Sequence, residues 1–392
     1  MKKVIFVFII LISSISSINA QDISDIAPMD SSYSLLMNIF VQIEATQAIN
    51  DMYNFRFDQS LRHFIYLKKK YGWHPLPYFL MGLNYWWRIV PDFKNEEFDQ
   101  TFYAYMDTAL VLAKRMHEEV NPIEGAFFLA ATHAFKGRLH SERREYSKAA
   151  FASKNALKYL DECKGLGNEN PELLFGDALF NYYAAWIPEN YPFLKPIMLM
   201  FPKGDKKEGI AQLKEVARNA FYTRTEAQYY LMRISYFEEN DLQTSLQVAE
   251  YLHTTYPGNA YFHRFYARLL YQTSDYTKAK LESEDILDKI EAQAPGYESN
   301  SGRYAAFFLG HISELKLKTE DAKKYFKMAI EFAKDSGTEE KGYNVFSVLH
   351  LGKLAMKEGD DERAKEYFKQ VKKLTDRKSS AGKQAKRYLK EL

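Results

Sequence analysis

A unit of two helices recurs along this chain at a fixed spacing, and this repeat limits the possible folds more than any other feature. Within Glu226–Pro257, apolar residues such as Tyr229 and Tyr236 recur at helical spacing, and after a short turn a second periodic run ends at the proline. Arg233 has its counterpart at Ala267, 34 residues further on. A helical hairpin of this size buries its apolar face only against a neighbouring hairpin. The sequence therefore predicts a stack of helical hairpins whose length is set by the number of repeats.

Each hairpin also carries a small residue in its first helix and another in its second helix. Gly352 and Ala364 form such a pair, 12 residues apart, and Phe368 supplies a large side chain between hairpins. The same offset separates Gly310 from Ala322. The pattern resembles that of tetratricopeptide-repeat (TPR) proteins of the exported bacterial type, over nearly the whole mature chain. The resemblance implies an all-α, right-handed α-solenoid of about eight TPR-like hairpins.

The repeat pattern also predicts how the chain is divided. The sixth hairpin, for example, is predicted at Ala260–Thr273 and Tyr276–Glu291. Four prolines interrupt the fourth hairpin, so its first helix is expected to end at Ile187. We expect a signal peptide at 1–20, a flexible segment at 21–32, a TPR-like solenoid at 33–378 with a proline-rich insert at 188–204, and a C-terminal capping helix at 379–392.

The N-terminus has the layout of a secretory signal peptide. Lys2 and Lys3 precede an apolar run, a serine-rich stretch follows, and a small residue, Ala20, stands before Gln21. The apolar run is too short for a comfortable membrane span. We therefore expect a periplasmic or secreted protein with no membrane span after cleavage, and an uncleaved anchor is the alternative. Since Cys163 is the single cysteine, packing rather than a disulfide must stabilise the exported chain.

Charge and motifs exclude several classes of function. Removal of Lys2 and Lys3 lowers the 53 basic residues to 51, equal to the 51 acidic residues, and this balance does not suggest nucleic acid as a partner. No HExxH, GxSxG, P-loop or CxxC motif is present. His133 and His140 share a helix face at a spacing that is weak for a metal site. We therefore expect no enzymatic activity, no cofactor and no metal.

The first helices of a TPR solenoid line a concave groove. Positions three before, one after and four after each Gly352-type residue should face this groove, and most of them are aromatic here. An aromatic groove surface of this kind has two explanations. It is covered by the insert or by neighbouring helices, or it binds a ligand. Arg264 and Arg268, one helical turn apart, provide a fork for a carboxylate or an acidic peptide end. The predicted partner-binding residues are Phe79, Trp86, Tyr182, Tyr230, Phe237, Arg264, Arg268, Tyr271, Phe307 and His311.

The insert of the fourth hairpin contains an apolar run, Pro192–Pro202, that is too short to cross a membrane. Two interpretations stay open: a flap that packs back into the groove, and a dock for a partner or for the envelope surface. The segment from Phe180 to Leu213, with Gly204–Asp205 and Gly209, resembles the tetratricopeptide-repeat-domain 39 and Iml-type family. That resemblance implies a helical-repeat adaptor without enzymatic activity. The exported N-terminus departs from this intracellular family, so a shared partner is not implied.

The sequence thus predicts a non-enzymatic, exported TPR scaffold that binds a protein or peptide partner in its groove. Aromatic anchors would be buried against the partner while Arg264 and Arg268 fix its register. The alternative is a periplasmic protein that captures a small molecule or a glycan by stacking on Trp86, Tyr182 or Phe237. Peripheral association with the envelope is compatible with either function.

Overall fold

The computed structural model describes residues 34–167, 170–192, 195–199, 201–340, 342–376 and 378–392. All regular secondary structure within these ranges is helical. None of the described helices combines the length and the apolar character needed to cross a membrane. The predicted signal peptide at 1–20 and the flexible segment at 21–32 lie outside the described residues.

The helices follow one another as hairpins, and each long helix packs against the next one along the chain. The predicted all-α solenoid of TPR-like hairpins with a C-terminal capping helix is therefore confirmed. In chain order the helices are α1 (Ile39–Tyr53), α2 (Phe57–Tyr71), α3 (Pro75–Ile89), α4 (Asp99–Glu119), α5 (Pro122–Glu142), α6 (Tyr146–Cys163), α7 (Pro171–Asn190), α8 (Lys195–Met198), α9 (Lys206–Asn219), α10 (Arg224–Phe237), α11 (Leu242–Thr255), α12 (Ala260–Gln272), α13 (Tyr276–Glu291), α14 (Ser299–Leu315), α15 (Thr319–Asp335), α16 (Gly342–Lys357), α17 (Asp361–Leu374) and α18 (Ser380–Glu391).

The turn inside the hairpin has the same backbone conformation in six of the described hairpins. The residue two positions before the second helix has a positive φ, for example 52° at Asn240 and 79° at Gly359. The residue that follows can cap the second helix, as Asp241 does by accepting a hydrogen bond from the backbone N–H of Thr244. This left-handed residue ends the first helix and reverses the chain. The other residues of this kind are Phe55, Arg144, Ser274 and Leu317.

The fixed small residues of the repeat make room for large rings. A Cβ atom added at Gly352 would lie 2.7 Å from Cε1 of Phe368, and one added at Gly310 would lie 2.7 Å from Cδ1 of Phe326. Both phenylalanine side chains are fully buried. The first helix therefore needs glycine where the second helix places a phenylalanine ring, because a close-packed interior has no space for that ring and a side chain at the glycine position.

The fourth hairpin differs from the others at its insert. Helix α7 continues through Pro188 for three residues beyond the predicted end at Ile187, so that prediction is wrong. Pro188 cannot donate a backbone hydrogen bond to the oxygen of Ala184, and the helix ends two residues later, at Asn190. Within the insert, Leu199 is 82% exposed, whereas Phe201 lines a surface pocket together with Phe180 and residues of α6. The described part of the insert therefore lies against α6 and α7.

The solenoid closes on itself, because its N-terminal helices pack inside the curve of the later repeats. The Trp87 ring on α3 contacts the rings of Tyr229 on α10 and Phe262 on α12, with centroids 5.4 and 5.2 Å away. The side-chain amide of Asn259 donates a hydrogen bond to the backbone oxygen of Tyr53. One apolar core consequently extends from the first described residues into α14. Neighbouring helices thus cover much of the surface that the sequence predicts as a groove.

Candidate functional site

Half of the predicted partner-binding residues are buried, and their expected exposure on an open groove is wrong. The groove rule assumes that the first helices face open space, whereas here these side chains pack against neighbouring helices of the same chain. The buried residues are Phe79, Trp86, Tyr182, Arg264 and Phe307. Tyr230, Arg268, Tyr271 and His311 are half-buried, and Phe237 is 49% exposed.

Two of these predicted anchors lose all contact with solvent. The Trp86 ring packs against Phe102 of α4 and Phe135 of α5, with centroids 5.9 and 5.5 Å away. The hydroxyl of Tyr182 donates a hydrogen bond to a carboxylate oxygen of Glu239, 2.6 Å away, which holds α7 against the turn after α10. Both side chains therefore serve packing between helices.

The remaining predicted residues fall into two groups. Tyr271, Phe307 and His311 are mutual neighbours, and the Tyr271 hydroxyl lies 2.9 Å from Nδ1 of His311. Phe237 lies beside Arg268, whose guanidinium carbon is 5.6 Å from the phenylalanine ring centroid. The second group is the more distinctive one, because it continues into a series of further arginines.

Five arginine side chains each lie against an aromatic ring, and two of them, Arg138 and Arg264, also contact α3 or the residues that follow it. The Tyr229 ring lies 5.5 Å from the guanidinium carbons of both Arg138 and Arg233. The Tyr304 ring lies 5.6, 5.7 and 4.9 Å from those of Arg264, Arg268 and Arg303. Such contacts are favourable because the negative face of the ring attracts the cation. We call this set the arginine row: Arg138, Arg233, Arg264, Arg268 and Arg303.

Within the described part of the chain, the arginine row lacks direct carboxylate partners, although Arg138, Arg233 and Arg264 each lower the pKa of a nearby carboxyl group, on Glu226, Glu238 and Glu298 respectively, against the effect of burial. Among the described residues, no ion pair within 4.0 Å involves any of its five guanidinium groups. Their hydrogen bonds go to neutral acceptors instead: Arg138 donates to the hydroxyl of Tyr230 at 2.6 Å, and Arg264 donates to the backbone oxygen of Pro91 at 3.1 Å. Buried charge without a partner is costly. The row therefore has the capacity to bind an anion.

The pKa values of Tyr304 and Arg303 reflect the positive charge that surrounds the Tyr304 ring. Burial alone would raise the pKa of Tyr304, but the charges of the three arginines around its ring outweigh burial and lower that pKa. Burial, assisted by the charge of Arg264, lowers the pKa of the Arg303 guanidinium. Two nearby carboxyl groups compensate only in part at neutral pH, since burial raises the pKa of Glu238 and that of Glu298 to about 7.

Sequence reasoning found Arg264 and Arg268 but missed the other three members of the row. The groove rule applied at Gly137 would have selected Arg138, the next residue. Arg233 occupies the position that carries a small residue in other repeats. A charged side chain at that position departs from the repeat pattern and could have indicated a functional residue. Arg303 lies two turns before Gly310 on the same helix face.

One group of potential metal ligands is found among the described residues, formed by His253, His263 and Glu282. His133 and His140 do not belong to it. The His133 ring stacks on Tyr159, whereas Nδ1 of His140 lies 2.6 Å from a carboxylate oxygen of Glu145. The two histidines that the sequence places on one helix face therefore have separate partners.

Comparison with protein families finds no match, and comparison with curated proteins finds none either. Comparison with solved structures finds matches that include the following three. The human IFIT1 dimer with PPP-AAAA is 13% identical with a TM-score of 0.44, over 82% of this chain and 69% of that one. The C-terminal part of a TPR repeat-containing protein from Cytophaga hutchinsonii is 13% identical with a TM-score of 0.28, over 87% and 98%. Yeast Tom70 is 11% identical with a TM-score of 0.28, over 89% and 94%. The candidate site therefore rests on the side-chain geometry of this chain.

Proposed function

We propose that this protein is an exported, non-enzymatic scaffold that binds an acidic segment of a partner protein at the arginine row. The observation that supports the proposal is the set of five arginines on tyrosine rings without a carboxylate within ion-pair distance among the described residues. A carboxylate is the ligand that a guanidinium binds in the best geometry, through two parallel hydrogen bonds. The absence of a recognisable catalytic motif in the sequence is consistent with binding alone.

The accessible part of the row is centred on Phe237. This ring is 49% exposed and lies between two half-buried arginines, 5.1 Å from the guanidinium carbon of Arg233 and 5.6 Å from that of Arg268. An acidic residue next to an apolar one in the partner would match this arrangement, since the ring accepts the apolar side chain and the guanidinium groups accept the carboxylate. Arg264 and Arg303 are too deeply buried to touch the partner and would add to the positive field.

Glycan capture is supported less well by the same geometry. Two of the three rings expected to stack on a sugar, Trp86 and Tyr182, are fully buried, which leaves Phe237 alone. The local resemblance of the segment around Gly204–Asp205 to the tetratricopeptide-repeat-domain 39 and Iml-type family favours an adaptor. We therefore place a protein partner first.

Binding is tested with labelled peptides of equal length that are rich in Asp and Glu, neutral, or rich in Lys. We expect fluorescence anisotropy to show binding of the acidic peptides only, with an affinity that falls as salt is added. Arg233→Gln and Arg268→Gln should each weaken binding about tenfold, because a hydrogen bond to a charged group contributes about 1.5 kcal/mol. Arg218→Gln, an exposed arginine outside the row, is the matched control. Equal binding of acidic and Lys-rich peptides would contradict the proposal.

The partner itself is identified in cells by a photo-crosslinking residue placed at Phe237. One recurring protein attached at this position supports the scaffold. A specific thermal shift with an oligosaccharide panel, together with crosslinks only within the chain, would favour the glycan alternative. Export is tested separately by fractionation and by N-terminal sequencing, which should place the mature N-terminus at Gln21.

A further inference from the structure

Three side chains from three consecutive helices converge on one point outside the arginine row. His253 lies in the last turn of α11, His263 lies in the first turn of α12, and Glu282 lies on α13. The Nε2 atoms of His253 and His263 lie 3.2 and 2.9 Å from the same carboxylate oxygen, Oε2 of Glu282. The two imidazole rings are stacked, with centroids 4.4 Å apart and planes 22° apart. Asp285, one turn after Glu282, places Oδ2 at 3.8 Å from Nε2 of His263.

The contact between His263 and Glu282 is short but is not a normal hydrogen bond. His263 is fully buried, and its Nε2 atom has no hydrogen-bond partner of acceptable geometry although Oε2 of Glu282 is 2.9 Å away. The direction of the ring N–H misses the oxygen. A buried polar atom of this kind needs an explanation, because an unmade hydrogen bond is costly in an interior. An ion between the three ligand atoms would provide one.

Two of the distances between ligand atoms suit a tetrahedral transition-metal ion, and all three ligand atoms lie within 4.8 Å of one another. Zinc lies about 2.0–2.1 Å from a histidine nitrogen and about 2.0–2.2 Å from a carboxylate oxygen, so the ligands of a tetrahedral site are about 3.3 Å from one another. The Nε2 to Oε2 distances of 3.2 and 2.9 Å are within a small adjustment of that value. Two imidazoles and one carboxylate are also a ligand set that zinc takes in proteins.

We infer that His253, His263 and Glu282 bind a divalent transition-metal ion such as Zn²⁺, with Asp285 or a water as the fourth ligand. The inference does not depend on the proposed function. Two neutral imidazoles, one carboxylate and the Asp285 carboxylate would balance the two charges of the ion.

The surroundings of the two histidines restrain their rings, and one ring would turn from the stacked arrangement to bring both Nε2 lone pairs onto the ion. Nδ1 of His263 lies 3.0 Å from the hydroxyl of Tyr297, so an N–H at Nδ1 can donate to that oxygen and leave the Nε2 lone pair for the ion. The Tyr266 ring stacks on His253, with centroids 5.5 Å apart, and restrains its rotation. Lys289 lies 2.7 Å from Oδ2 of Asp285 and opposes a cation, so a bound ion would compete with this lysine for Asp285.

Such an ion would join α11, α12 and α13, which belong to two successive hairpins. The loop between α11 and α12 carries Asn259, whose side chain holds the backbone of Tyr53 in the N-terminal hairpin. The ion would therefore brace the repeats against which the N-terminal helices pack. A ligand set drawn from three helices stabilises the folded state because it does not exist in the unfolded chain.

The test uses the full chain without a histidine tag, freed of metal with a chelator. We expect isothermal titration to show one equivalent of Zn²⁺ bound, Co²⁺ to give the visible absorption of a tetrahedral complex, and Zn²⁺ to raise the Tm. Glu282→Gln and His253→Gln should weaken Zn²⁺ binding by more than about tenfold. Both substitutions keep side chains of similar size, and circular dichroism checks that each variant is folded.

His140→Gln is the matched control, since His140 has a similar exposure and a carboxylate partner but no third ligand. Unchanged Zn²⁺ binding in this variant, with a loss in the two site variants, supports the site. Zn²⁺ binding that persists in both site variants, or no stoichiometric binding to the natural chain, would overturn the inference. Failure here would leave acidic-peptide binding unaffected, because the peptide assay reports on the arginine row.

Discussion

The carboxylate of Glu226 joins the N-terminal helices to α10, and its replacement measures how firmly the solenoid is closed. Its Oε1 atom accepts hydrogen bonds from Nε1 of Trp87 at 2.8 Å and from the hydroxyl of Tyr53 at 3.1 Å. All three residues are buried. Glu226→Leu keeps most of the side-chain volume but removes the acceptor, so two buried donors lose their partner.

The expected destabilisation follows from these contacts. A buried donor without a partner costs about 2 kcal/mol, so two donors cost about 4 kcal/mol. Part of this destabilisation is offset, because the substitution also removes a carboxyl group whose charged form is unfavourable in the interior, as the raised pKa of Glu226 indicates. We expect Glu226→Leu to lower the free energy of unfolding by about 2 kcal/mol. Glu226→Gln keeps an acceptor oxygen and should lower it by about 1 kcal/mol or less.

The assay combines urea unfolding at pH 7 with hydrogen exchange, because a repeat protein can lose part of its structure before the rest. The interaction that Glu226→Leu removes holds the N-terminal helices, so exchange should accelerate in α1 to α3 and stay unchanged in α15 to α18. Glu331→Ala, at an exposed position on α15, is the control. If α1 to α3 exchange no faster in Glu226→Leu than in the control, the closing role assigned to this carboxylate is refuted.

Three further predictions concern stability. Leu317 is 87% exposed and has a φ of 58°, a conformation that glycine adopts more easily than leucine. Leu317→Gly should therefore stabilise the protein by about 1 kcal/mol in urea unfolding. Leu281→Gly, at an exposed position inside α13, is the control and should destabilise the protein by about 1 kcal/mol, because glycine is unfavourable within a helix. Gly352→Leu should cost about 3 kcal/mol or more, because its side chain has no room beside the buried phenylalanine ring, and an unchanged midpoint would contradict the packing. Burial raises the pKa of Glu298 from 4.5 to about 7, so the natural chain should lose stability as the pH rises from about 4.5 to 7. Glu298→Gln should therefore gain on the order of 2 kcal/mol relative to it at pH 8 and about nothing at pH 4, and an equal difference at both pH values would refute the assignment.

Much of the fold can be read from local signals. Helix α13 begins and ends at the predicted residues, Tyr276 and Glu291, and α12 ends one residue before its predicted limit. These limits are predictable because apolar spacing, caps and turns act over a few residues. The offset between small residues is also local, since it reflects how a glycine such as Gly352 accepts the ring of the following helix. Stacked hairpins with nearest-neighbour packing therefore follow from the amino-acid sequence alone.

The exposure of the inner surface was decided only by the tertiary structure. Each hairpin adds a small rotation, and the sum of these rotations determines whether the concave face stays open or receives the N-terminal helices. No local pattern encodes that sum or the packing between neighbouring hairpins, so Trp86 and Tyr182 read as groove residues although they are fully buried. For the same reason the contact of Arg138 with Tyr229, 91 residues away, could not be predicted. The sequence by itself determined the repeat and its helices, whereas the closure of the solenoid determined which arginines lie together and which aromatic rings meet solvent.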